Sequence, residues 1–97
     1  MHDLNDYIVR LSDFKQRRAP RFGIKRIGIF GSVARREAMD SSDIDIVVDI
    51  EQPTLTAMYD LRQELNRLFG HDVDVVRMRK TLNAALKENI ERDAIYV

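Results

Sequence analysis

Helical and alternating hydrophobic patterns take turns along this chain. Leu4, Ile8, Leu11 and Phe14 share one face of a helix predicted from about Asp3 to Arg18, with Pro20 and Gly23 placed to close it. The stretch KRIGIF, residues 25–30, alternates as a strand. It runs straight into the turn pair Gly31 and Ser32, after which SVARREA predicts a short helix whose N-terminus faces the end of that strand. DIDIVVDI, residues 43–50, is a second strand. Leu55, Met58, Leu61, Leu65 and Leu68 mark a second amphipathic helix, started by Pro53 and Thr54 and ended by Gly70. Its stripe from Met58 to Phe69 reads as core. HDVDVV is a third strand, Leu82, Ala85, Leu86 and Ile90 give a third helix after Thr81, and AIYV is a short final strand. Strands separated by helices predict an α/β (α+β) fold with helices packed on a sheet, and 97 residues suffice for one domain, 1–97, with one core.

The second strand contains something that a strand interior disfavours. Asp43 and Asp45 project from one face, with Cα atoms about 6.6 Å apart at ~3.3 Å rise per residue, while Ile44, Ile46, Val48 and Ile50 take the other face into the core. Two carboxylates held so close repel one another and lose hydration, a cost that a divalent cation between them relieves. In the third strand Val73 and Val75 face one way, and Asp72, Asp74 and Val76 face the other. If that strand pairs beside the second, Asp74 completes a three-carboxylate cluster of the kind that holds two metal ions ~4 Å apart. Read alone, Asp72 and Asp74 are equally the polar face of an edge strand. Gly31 supplies close backbone approach to a phosphate, and Ser32 adds a hydroxyl donor.

Composition narrows the chemistry. Cysteine is absent and the two histidines, His2 and His71, are far apart, so any metal is bound by oxygen, and magnesium suits such a site. Lys plus Arg and Asp plus Glu are both 16, which gives no global attraction to nucleic acid. The charges are nevertheless segregated. Phe14 to Arg36 carries Lys15, Arg17, Arg18, Arg21, Lys25, Arg26, Arg35 and Arg36 and no acid, and Glu37 to Leu61 carries acids and no base. This is either a solvated face or a basic wall beside an acidic metal site, with Lys15 to Arg26 as a docking surface for an acidic partner. No apolar run approaches the ~18 residues of a membrane span and the start is not that of a signal peptide, so a cytoplasmic protein is expected.

GSVAR, Glu37 and SDIDIVV together resemble the signature of the minimal nucleotidyltransferases of the polymerase-beta-like nucleotidyltransferase superfamily. VDVV and the tail ENIERDAIYV are similar to that family's third-aspartate strand and C-terminus. The resemblance implies a nucleotidyltransferase fold with a small mixed sheet, two magnesium ions, and transfer of a nucleoside monophosphate from a triphosphate such as ATP. It implies that Gly31 and Ser32 hold the triphosphate with Arg35 near the phosphates. Asp43 and Asp45 would bind metal, and Asp74 would be the third carboxylate, metal ligand and base. Ser42 matches the motif as a nucleotide contact or as a turn residue, and Glu37 as a partner for Arg35 or Arg36. One position departs from the pattern. Arg36 stands where the family has glycine, so it is strained if the backbone there needs a positive φ, or adds a cation beside the triphosphate.

The chain lacks the additional domains that a template-directed polymerase needs, and no nucleic-acid substrate is expected. The family's stand-alone members imply an antitoxin that adenylylates a HEPN-type ribonuclease toxin on a hydroxyl, typically tyrosine. The alternatives are a non-catalytic antitoxin that blocks its partner by covering it, and an antibiotic nucleotidyltransferase.

Overall fold

A computed structural model gives the fold and describes residues 3–39 and 43–97. Helix α1 (Leu4–Phe22) leads into strand β1 (Ile24–Phe30), the single turn α2 (Gly31–Ala34), β2 (Ile44–Ile50), α3 (Leu55–Phe69), β3 (Val73–Arg77), α4 (Ala84–Asp93) and β4 (Ile95–Tyr96). The sheet runs β3-β2-β1-β4. It is mixed: β1 lies antiparallel to β2 and to β4, and β2 lies parallel to β3. A parallel pair cannot be closed by a hairpin, and α3 provides the crossover.

The caps explain where the helices stop and start. Asp3 accepts from the Asp6 N–H, Thr54 from the Ala57 N–H, and Asn83 from the N–H groups of Ala85 and Leu86. Gly23 and Gly70, at φ 68° and 62°, end α1 and α3 in the left-handed conformation. The predicted end of α1 at Arg18 is four residues early. Pro20 lies inside the last turn, because burial of Phe22 against the core offsets the amide bond that proline removes. Leu55, the first residue of α3, is 92% exposed; the buried residues of α3 are Leu61, Leu65 and Phe69.

One face of the sheet, with Ile27, Ile29, Ile44, Ile46, Val48, Ile50 and Val73, packs under α1 and α3. The other carries a smaller cluster, Phe30 and Val47 beneath Ile90 of α4. By strand alternation Asp45 belongs to this second face, so α4 covers part of the face that bears it. Asn66 fixes the start of β3, its side-chain oxygen accepting from the Val73 N–H at 2.9 Å.

Candidate functional site

The register brings the acidic residues together. Asp45 of β2 is the direct partner of Asp74 of β3 in the parallel ladder, so their side chains emerge beside each other from strands about 4.8 Å apart. Asp43 sits just before β2. Asp45 is half-buried, whereas Asp43 and Asp74 are exposed. Burial first, then the charges of Asp74 and Asp43, push the Asp45 carboxyl above its ordinary range, with Arg35 opposing them. Among the described residues no three acidic or histidine side chains are gathered tightly enough to cage a cation. The three-carboxylate cluster expected from the sequence is therefore only partly assembled: Asp45 and Asp74 are ladder partners, and Asp43 lies just ahead of β2.

Gly31 has φ 73°, and a Cβ placed there would collide with the Asp45 carboxylate. Glycine is therefore required by the protein itself, for backbone conformation and for room beside Asp45, before any phosphate is considered. Phe30, the preceding residue, pairs with Asp45 across β1 and β2. Strand end, turn and carboxylate thus form one unit. At four residues α2 is too short to carry a helix dipole, so the turn offers its unpaired first N–H groups and the Ser32 hydroxyl rather than a macrodipole.

Arg35 follows the turn and is held at both ends. Its Nε donates to Glu37 Oε2 at 3.0 Å, and its Nη1 donates to Asp93 Oδ2 at 2.6 Å. Glu37 is a partner of Arg35, as expected. Asp93 was not foreseen: it lies 58 positions away on the last turn of α4, and no local pattern marks it. Arg36 has φ 61°, alone among the described non-glycine residues in being positive, so the backbone at the departing position is indeed left-handed. Its guanidinium reaches towards Asn5 of α1. Ser42 lies outside the described residues.

The basic run is no open wall. Arg18 makes two 2.8 Å hydrogen bonds to Glu64 of α3, Arg21 lies 3.7 Å from Asp60, and Arg17 pairs with Asp13. The acids missing from the run in sequence come from α3 and from α1 itself. Lys15 donates to the Val97 carbonyl at 2.7 Å, and Arg26 stacks on Tyr96.

Comparison with known proteins bears on what this arrangement does. The family description "Polymerase beta, Nucleotidyltransferase" matches residues 14–97. The chain is 39% identical over 88 residues to protein adenylyltransferase MntA of Thermococcus cleftensis, covering 90% of this chain and 88% of that one. A solved structure described as a candidate minimal nucleotidyltransferase superposes with a TM-score of 0.79 at 36% identity, covering 97% of this chain and 95% of that one. The fold is also that of an MNT antitoxin solved in complex with a tri-AMPylated HEPN toxin from Shewanella oneidensis. There the TM-score is 0.59 at 23% identity, over 96% of this chain and 66% of that one.

Proposed function

Because this chain belongs to the polymerase beta nucleotidyltransferase family, we propose that it moves AMP from ATP to a hydroxyl side chain of a partner protein, a HEPN-type ribonuclease toxin that it thereby neutralises. The observation that carries this reading is the in-register pairing of Asp45 with Asp74, with Asp43 at its mouth and Gly31 shaped to fit it. Packing alone gives no reason to set like charges side by side, and a charge partner supplied by the substrate does. The name of the Thermococcus relative supports the adenylyl group and the protein acceptor. The toxin complex supports the class of partner.

In this reading Gly31 and Ser32 present backbone N–H groups and a hydroxyl to the triphosphate, and Arg35 flanks it. Asp43, Asp45 and Asp74 would be the oxygen donors to magnesium, with substrate phosphates and waters completing its ligands. When bound, magnesium braces the triphosphate and offsets charge on the departing pyrophosphate. Asp74 accepts the proton of the acceptor hydroxyl as its oxygen bonds to the α-phosphorus and the bond to the β-phosphate bridging oxygen breaks, releasing pyrophosphate. The acceptor must lie within about 3.5 Å of the α-phosphorus and in line with the leaving group.

One domain that devotes this face to nucleotide leaves the partner to bring that geometry. The chain alone therefore binds magnesium-ATP and turns it over slowly. No described helix is long and apolar enough to cross a membrane. The test is to incubate chain, cognate partner, ATP and magnesium and to measure the intact mass of the partner. An adenylate added to a tyrosine of the partner is expected. A partner that is neutralised but unmodified, or robust transfer to RNA or an aminoglycoside by the chain alone, would overturn the reading.

A further inference from the structure

Asp93 is a charged group near the site whose chemistry is unused by the reaction described above. Its side chain is only 3% accessible, yet the covering is made by two guanidinium groups, Arg35 at 2.6 Å and Arg92 at 2.9 Å. These hold its carboxyl below the usual range, Arg92 contributing first and Arg35 after the opposing effect of burial. The fold takes specific steps to bring it there. Strand β4 begins two residues later and pairs with Gly28 and Ile29 of β1. A Cβ on Gly28 would lie 2.7 Å from the Ile95 carbonyl oxygen, so glycine at 28 permits that close approach. The end of α4 is thus docked next to the end of β1, where Gly31, Asp45 and Arg35 meet.

We propose that Asp93 is a positioning residue for nucleotide binding, clamping the Arg35 guanidinium beside Asp45 so that its outer nitrogen faces the phosphates. The proposal rests on the nucleotidyl-transfer reading of the site and adds to it a second element, α4, on which the phosphate-facing cation depends. Glu37 holds Nε and Asp93 holds Nη1, and Nη2 takes part in neither bond. Arginine fixed at two points loses less rotamer freedom when it meets a phosphate than a free one does. The clamp also joins the C-terminal end of α4 to the turn that begins at Gly31.

The experiment measures ATP affinity in magnesium, by calorimetry on the full chain without any acceptor, for Asp93→Asn, Arg35→Ala and the double variant, with Asp93→Glu as the conservative control. Asp93→Asn is expected to weaken ATP binding about tenfold, the scale of one lost charge-assisted contact. Asp93→Glu recovers part of the loss, and the double variant binds no worse than Arg35→Ala. A purely structural Asp93 would give losses that add in the double variant, tracked by a lower melting midpoint. That result, or ATP binding in Asp93→Asn equal to or tighter than wild type, would overturn the proposal. Because affinity is read without an acceptor, a wild type that binds ATP but modifies no partner would count against the transfer reading alone.

Discussion

The seam between α1 and α3 and the open edge of β2 and β3 are built from the same kinds of side chain to opposite ends. In the seam, Arg18 and Glu64 meet through two 2.8 Å bonds, and the Glu64 carboxyl is held below its ordinary value, by the hydrogen bond from Arg18 first. At the edge, Asp45 stands beside Asp74 and is pushed the other way. Charge in the first place is matched within the chain. In the second it is left unmatched, with Arg35 close enough to ease Asp45 but committed to Glu37 and Asp93. The difference separates charge that holds the fold together from charge kept ready for a substrate.

The largest effects lie at the unmatched site. Asp43→Asn and Asp45→Asn are each expected to reduce nucleotidyl transfer by at least about a hundredfold, the scale of losing one preorganised electrostatic contact to the transition state. Circular dichroism should show the fold unchanged. Near wild-type transfer in either would place these carboxylates with the structural charges of the seam. Asp74→Asn should lower kcat by about a hundredfold while ATP affinity changes less than about threefold, if its main task is the acceptor proton. Equal loss of both would make it a metal ligand only.

Changes in the seam should reverse that ranking. Arg18→Glu faces Glu64 with a like charge and should lower the melting midpoint by several degrees, whereas Arg17→Glu, whose partner Asp13 is well exposed, should barely move it. ATP affinity should be the same in both; a loss of affinity in Arg18→Glu would mean that the two regions are coupled. Smaller again is the backbone. Arg36→Gly removes a side chain from φ 61° and should stabilise the protein by about 1 kcal/mol, read as a raised midpoint in a thermal melt.

The alternation of β2 and β3 was legible because each has one fully apolar face, Ile44, Ile46 and Val48 in one and Val73 and Val75 in the other. That put Asp45 and Asp74 on the faces turned away from the α1 and α3 core before any pairing was known, whereas Asp43, read as the first residue of the strand, lies just ahead of β2. The consequence of glycine at the usual left-handed position was legible too, since Arg36 departs from it and its φ is positive. What could not be read was long-range. Asp93 meets Arg35, and Glu64 meets Arg18, only after the sheet is assembled, and neither pair has a helical or strand spacing to announce it. Pro20 misled because a local breaking signal was outweighed by burial of Phe22 two residues on. Leu55 continues the apolar spacing of α3 in sequence, yet in the first turn of the helix it is exposed.

The central claim, that the fold bears a cost at Asp45 for the sake of its substrate, is tested most directly by thermal unfolding of Asp45→Asn against wild type in chelator, across pH. A carboxyl whose folded value is raised binds more protons in the folded than in the unfolded state, so its ionisation destabilises the fold as pH rises from the ordinary value of 3.8 through the raised one. The carboxyls of Glu64 and Asp93, which are held low, act with the opposite sign, but they are common to both proteins and cancel in the difference. Asp45→Asn should therefore melt at or above the wild-type midpoint at neutral pH, with any advantage shrinking as the pH falls towards 4. A midpoint below wild type at neutral pH that recovers in acid would show Asp45 to be a structural charge matched within the chain, and would contradict the account.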